Sequence, residues 1–225
     1  VNGTLDRLLL RIDAAAKTAP GAPAVRLLAV SKTQPVAAVR ALAGLGQRAF
    51  GENYVQEALA KRRELADLEI EWHLIGPLQS NKSREVAEHF DWLQSLDRMK
   101  LVEPLARHRP RAKAPLNVLI QVNIDDEASK SGCAPADIAA LAAAVADAQG
   151  LRLRGLMAIP APVPDLAQRR EAFARMRALF DALRAVHAGV DTLSIGMSDD
   201  FELAIAAGAT MVRVGSALFG ARPAT

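Results

Sequence analysis

The sequence predicts an α/β fold closed into a single (β/α)8 barrel of the TIM type with an extra N-terminal helix, and three observations carry that expectation. Eight short apolar runs recur along the 225 residues. Helix-period segments separate them, the alternation that builds a parallel sheet. Several runs are almost wholly apolar, as strands covered on both faces must be. The runs are Arg26 to Ser31, Arg48 to Glu52, Glu71 to Gly76, Trp92 to Leu96, Leu116 to Asn123, Leu153 to Ile159, Thr192 to Met197 and Met211 to Ser216. The alternative architecture is an open doubly wound sheet. It lacks its usual fingerprints here: no Gly-x-Gly-x-x-Gly follows the first run, and no glycine-rich loop ends in Lys-Ser or Lys-Thr. The length suits one domain over residues 1–225, within the range where such barrels form single units.

The connecting segments carry helix signals. Pro35 can occupy a first-turn position before Val36, Val39, Arg40 and Leu42, with Gly44 and Gly46 as the stop. Phe173, Met176, Phe180, Leu183 and His187 step by three and four residues, so one helix has an apolar stripe. Ser198 or Asp199 can cap a short helix running through Ile205 to Gly208. Leu5 to Ala16 forms an amphipathic stretch ahead of the first strand, suited to the outside or bottom of the barrel. The loop containing Pro160, Pro162 and Pro164 is too short to divide domains.

Composition excludes several classes of function. The chain is 51% hydrophobic with only 4% aromatic residues, which suits a helix-rich globular protein. Cys133 is the single cysteine, so neither an intramolecular disulfide nor a thiolate metal cage can form, and a reducing, cytoplasmic setting is expected. No apolar stretch reaches membrane-spanning length and no signal-peptide pattern opens the sequence, so no membrane partner is expected. The 28 basic and 25 acidic residues are interspersed for a net charge of +3, giving no nucleic-acid footprint. The densest basic run, Arg107, His108, Arg109, Arg111 and Lys113, lacks aromatic residues to stack on bases and reads as a solvated loop.

Chemistry in such barrels collects at the C-terminal ends of the strands. Lys32 directly follows the apolar run Leu27 to Val30. A lysine leaving a buried strand end is neutralised, paired or made into an imine, because desolvation lowers its pKa and the free amine attacks an aldehyde. The bland alternative is a lysine snorkelling to the surface. Ser198 follows the seventh run, while Gly215 and Ser216 close the eighth before Ala217, Leu218 and Phe219, which can begin a short helix. Loops after strands seven and eight form the recurrent phosphate site of these barrels, and Gly215 lets backbone approach an anion closely. Ordinary capping and turning by the same residues remains open. Arg213 lies two residues before Gly215, so it faces the same side, where it needs an acceptor such as a buried carboxylate.

Together these stretches resemble the pyridoxal 5'-phosphate (PLP) homeostasis protein family, small fold type III barrels related to the N-terminal domain of alanine racemase. The matching segments are Leu28 to Thr33, Phe50 to Glu57, Trp72 to Lys82, Gly155 to Ile159, Ser194 to Phe201 and Val212 to Gly220. They span nearly the whole chain in order. The resemblance implies that Lys32 forms a Schiff base with PLP and that Ser198, Gly215 and Ser216 bind its phosphate. It further implies that Arg213 faces the pyridine nitrogen and that Asn53 and Met197 lie near the cofactor. The family commonly has threonine where this chain has Ser216; serine keeps the hydroxyl donor. No role is assigned to His73 or Lys82, no metal site is expected, and Cys133 has no visible activating partner.

Two functions of different class follow from the resemblance. One is a carrier that binds PLP reversibly and buffers it or delivers it to PLP-dependent apoenzymes, acting as a monomer with no established catalytic turnover. The alternative is a PLP-dependent amino-acid racemase or related enzyme. Chemistry favours the carrier. An arginine cannot hold the pyridine nitrogen protonated, which weakens the electron sink, although the alanine racemases resembled here share that arrangement. Racemisation also needs a second acid/base group, which those racemases supply as a tyrosine from an added domain of a partner subunit. The only tyrosine here is Tyr54, in the loop after the second run, and the sequence stops soon after its eighth. A barrel enzyme for a sugar phosphate, with Lys32 as its amine, is a further alternative and predicts no coloured cofactor.

Overall fold

The computed structural model describes residues 2–19, 21, 24–125, 131–161 and 165–220. Its strands are β1 (Arg26–Val30), β2 (Ala49–Glu52), β3 (Glu71–Leu74), β4 (Trp92–Leu96), β5 (Leu116–Gln121), β6 (Leu151–Met157), β7 (Thr192–Ser194) and β8 (Met211–Val214). All pair in parallel and in sequence order, and β8 returns to β1 to close a barrel. The closed sheet is the expected (β/α)8 architecture; the open alternative is excluded by the pairs Arg26 with Met211 and Ala29 with Val214.

The helices are α1 (Asn2–Thr18), α2 (Val36–Gly44), α3 (Val55–Glu64), α4 (Ser83–His89), α5 (Val102–His108), α6 (Ile138–Asp147), α7 (Leu166–Val186), α8 (Phe201–Ala206) and α9 (Ser216–Phe219). Several ends differ from the sequence reading for local reasons. Pro35 is the N-cap of α2 rather than a residue of its first turn. The sixth strand begins already at Leu151, where Leu151 pairs with Leu116. Helix α8 starts after Asp200, whose carboxylate accepts the Met197 N–H at 2.7 Å, so neither Ser198 nor Asp199 is the cap. Of the proline loop, Pro162 and Pro164 lie outside the described residues.

Helix α1 buries Leu5, Leu8 and Ile12, at helical spacing, and lies on the outside of the barrel against α8 and α9. Arg11 fixes it there, pairing with Glu202 at 2.6 Å and lying 4.7 Å from the centre of the Phe201 ring. The main apolar core fills the layer between sheet and helices, with Leu42, Phe50, Leu74, Phe90, Phe173 and Phe180 fully enclosed. Residues of opposite parity point into the barrel. They form two separate apolar groups: Leu28, Ala49, Ile75 and Met211 in one, Trp92, Leu119 and Met157 in the other.

The basic run near the start of β5 is divided rather than uniformly solvated. Arg109 is buried, and its guanidinium donates to the carbonyl oxygens of Ala87 and Phe90, both at 2.7 Å. Lys113 donates to Glu88 O at 2.6 Å and Arg62 to His89 O at 2.7 Å. Three cations thus satisfy four successive carbonyls at the C-terminus of α4, where the helix dipole favours positive charge. Arg107 instead makes an exposed pair with Glu103. Replacing Arg109 with Met should therefore cost about 2–4 kcal/mol in urea unfolding by stranding buried carbonyls, whereas Arg107→Ala should leave stability almost unchanged.

Candidate functional site

The strand ends open onto a cavity of about 410 Å³, within the ordinary range for small-ligand sites of roughly 300–1,000 Å³. Lys32, Asn53, Met197, Ser198, Arg213, Gly215 and Ser216 all line it. The amine expected after β1 and the hydroxyls expected after β7 and β8 thus face one space.

Each is placed by its strand. Lys32 follows Val30 with inward parity, in a turn closed by the Gln34 N–H on Ser31 O at 3.0 Å. Thr33, the next residue, has φ +62° and is the one non-glycine with positive φ among the described residues. A β-branched residue resists that conformation, so surrounding bonds must hold it. Asn53 follows β2 and is fixed by Gly76 after β3: a Cβ at Gly76 would lie 2.2 Å from Asn53 O. Gly215 lies against the end of β1, where a Cβ would come within 3.3 Å of Val30 O. The absence of a side chain therefore lets the end of β8 lie close against the end of β1. Asp200 holds the N-cap position of α8 and its carboxylate accepts the Met197 N–H, while the Ser198 hydroxyl faces Ser216, with the two oxygens 3.2 Å apart.

Arg213 departs from expectation. Among the described residues no carboxylate bonds it: Nη1 donates to Ser194 O at 2.7 Å and Ser194 Oγ at 2.8 Å, and Nη2 to Ala158 O at 2.8 Å. Burial lowers its pKa to about 10, with the Asp200 charge opposing the shift, and it remains a cation at neutral pH. Carbonyl dipoles and a hydroxyl carry this charge because the chain crossing at β6 and β7 points backbone oxygens at it.

Arg213 ends a hydrogen-bonded chain through the barrel interior. Ser194 Oγ donates to Gln94 Oε1 at 2.7 Å, Gln94 Nε2 meets His73 Nδ1 at 2.9 Å, and His73 Nε2 meets Glu71 Oε1 at 2.8 Å. Arg26 closes it on Glu71 at 2.6 Å. Its polarity follows from one end. A guanidinium only donates, so Ser194 must give its own proton to Gln94, whose amide then donates to His73 Nδ1 and leaves Nε2 protonated toward Glu71. His73 is thus neutral, in agreement with the burial that lowers its pKa, and stacks on Trp92 with ring centres 5.1 Å apart. Although burial disfavours its charge, Glu71 is held at about 2 by the His73 hydrogen bond and the Arg26 guanidinium.

Sequence reasoning missed Gln121, Ser131 and the pair Ile75 and Gly76, which also line the cavity. Strand parity could have found Gln121; Ser131 follows a long excursion after β5 and carried no signal. Lys82 pairs with Glu85 at 3.2 Å and is not among the lining residues. Tyr54 is 64% exposed and also lies outside the lining set. Cys133 is buried, and that burial pushes its thiol up to about 12, so it is no nucleophile at neutral pH. Among the described residues no group of acidic, histidine or cysteine side chains could hold a metal ion, and no helix is long and apolar enough to cross a membrane.

The interior chain predicts an acid-labile fold. Both Glu71 and His73 have pKa values below their ordinary ones, so their stabilisation is lost as pH falls. The loss begins near 6.5 for His73, and runs from 4.5 towards 2 for Glu71. Unfolding free energy measured between pH 7 and 3 should drop, with Glu71 contributing on the order of 2 kcal/mol after allowance for its partly exposed carboxylate. Glu71→Gln should flatten the lower part of that curve.

Comparison with known proteins agrees with this geometry. The family model described as alanine racemase, N-terminal domain, matches residues 4–223. A pyridoxal phosphate homeostasis protein of Pseudomonas aeruginosa is 58% identical over 217 residues, covering 96% of this chain and 93% of that protein. One of Escherichia coli is 54% identical over 216 residues, covering 94% and 92%. PipY of Synechococcus elongatus, whose structure was solved with PLP bound, superposes with a TM-score of 0.82 at 41% identity, covering 93% of this chain and 98% of PipY. The chain therefore belongs to the pyridoxal phosphate homeostasis protein family, built on a barrel of the alanine racemase N-terminal type.

Proposed function

We propose that this chain binds PLP reversibly at the barrel mouth and buffers it or delivers it to PLP-dependent apoenzymes, without a turnover of its own. The observation that carries the reading is the convergence of one lysine, two hydroxyls and one buried guanidinium on a single cavity. When bound, PLP brings an aldehyde that condenses with a primary amine, a phosphate, and a pyridine ring that draws electrons.

The residues present fit those three groups. Lys32 supplies the amine. Ser198 and Ser216 supply hydroxyl donors beside Gly215 on the cavity wall, which suits a phosphate. Asn53 and Met197 complete the wall on either side. Arg213 presents a permanent cation where the ring nitrogen would lie, and a cation there opposes protonation of that nitrogen. The electron sink is thereby weakened, which favours holding the cofactor over catalysis with it. Tyr54 is turned to solvent, so a tyrosine does not serve the described pocket as a second acid/base group.

The same reading takes residues 1–225 as one functional unit, monomeric and cytoplasmic. Light scattering with and without PLP tests the oligomeric part. The central test is borohydride reduction of the PLP-loaded protein followed by peptide mass spectrometry, which should locate the label on Lys32. Lys32→Ala should abolish the covalent adduct yet keep phosphate-dependent affinity, and Ser216→Ala should weaken binding by roughly tenfold through loss of a charge-assisted hydrogen bond. Sustained racemase or transaminase turnover by the isolated protein on a panel of amino acids would replace the carrier reading with an enzymatic one.

A further inference from the structure

Behind the pocket wall, outside the cavity itself, lies a buried ionic cluster on which the turn carrying Lys32 hangs. Lys61, on the inner face of α3, is 6% exposed and uses its ammonium three times: to Ser31 O at 2.6 Å, to Glu52 Oε1 at 2.8 Å and to Glu57 Oε1 at 2.7 Å. An ammonium has three protons, and all are spent here. Glu52 is fully enclosed at the end of β2, and its Oε1 also accepts the Ser31 hydroxyl at 2.6 Å. Glu57 Oε1, besides its bond to Lys61, accepts the Thr33 N–H at 2.6 Å. The carbonyl preceding Lys32 and the amide following it are therefore both tied to α3.

The cluster is expensive as pure structure. Burial raises the Glu52 pKa against the pull of Lys61 and Ser31, and Glu52 Oε2 has no hydrogen-bond partner among the described residues. An apolar cluster of the same volume would pack α3 on the sheet at least as well. What an apolar cluster could not do is hold Thr33 at φ +62°, a strained conformation immediately after Lys32. Strain of this kind persists only where neighbours over-determine it, and here two side chains do so from one helix.

We propose that Glu57 and Lys61 are positioning residues for Lys32: by fixing the backbone on both sides of it, they hold its side chain directed into the cavity for attack on an aldehyde. The proposal rests on the PLP reading above. Condensation forms the carbon–nitrogen double bond as the carbonyl oxygen leaves as water, so nothing beyond amine and aldehyde is consumed. The hydroxyls assigned above to the phosphate, Ser198 and Ser216, lie after β7 and β8 and are not partners in the bonds that Lys61 and Glu57 make to the Lys32 turn.

Glu57 is the better site for the test because it is 27% exposed, whereas removing Lys61 strands two carboxylates and endangers folding. The experiment measures two quantities on wild type, Glu57→Ala and Glu57→Gln. One is the rate of covalent trapping of PLP by cyanoborohydride, read as intact mass and located by peptide mapping. The other is the affinity for pyridoxine 5'-phosphate, which carries the phosphate but no aldehyde. Glu57→Ala should slow trapping on the order of tenfold with pyridoxine 5'-phosphate affinity within about twofold of wild type, as expected of a misaimed reactant. Glu57→Gln, which keeps an oxygen for the Thr33 N–H, should recover most of the rate. Trapping by Glu57→Ala at the wild-type rate overturns the proposal. So does a parallel fall in both quantities, which would mark general loosening of the pocket. Wild-type protein labelled at a lysine other than Lys32 would instead remove the underlying reading, and the clamp with it.

Discussion

Closure of the sheet between its first and last strands is the constraint on which the site depends. Lys32 and Ser216 are far apart in sequence, and only the pairing of β1 with β8 brings their loops together. The register there is not free to slip. A slip of β8 by one residue would turn Met211 outward and bring Arg213 out of the interior, exchanging an apolar filling for a charge against the helices. Gly215 sits at this seam against Val30 O, where the lack of a side chain permits the close approach of the two strand ends.

The interior of the barrel is of two kinds, and the difference has functional meaning. Leu28, Ala49, Ile75 and Met211 fill space on one side. The chain from Arg213 through Ser194, Gln94 and His73 to Glu71 crosses from mouth to base, with each member a donor to the next. Buried polar groups are costly when one partner is missing, and a fully paired series is stiff for the same reason. Arg213 thus inherits a fixed orientation from residues that never meet the cavity. A cation so held can face a ligand without swinging to find a different acceptor.

The architecture was largely legible because apolar runs at the spacing of strands, separated by helix-period segments, admit few other arrangements. The residues that face the cavity were legible too, through strand-end position and through family resemblance. What escaped had a common cause. The sequence places Ser198, Asp199 and Asp200 side by side with equal capping capacity, and only the backbone path selects Asp200. Arg213 invited a carboxylate partner, yet besides the Ser194 hydroxyl its acceptors are main-chain oxygens of β7 and of the residue after β6, which have no signature in side-chain identity. Likewise Arg109 reads as one more basic loop residue until the C-terminus of α4 is seen beneath it. Lys61 carries no signal in the sequence, since its burial depends on two strands and a helix meeting at one point.

The single thiol acquires a use from its surroundings. Cys133 lies beside the end of β5, its N–H bonded to Gln121 O at 2.9 Å and its carbonyl accepting the Asn123 N–H at 2.9 Å. Gln121 and Ser131, on either side of this bridge, belong to the cavity wall. Cys133 itself belongs to the main apolar core and is not among the lining residues. A sulfur that is protonated and enclosed there reacts with alkylating reagents only during excursions that part its packing, so its modification rate is a native clock for the opening of the layer behind β5, readable without introducing any foreign probe.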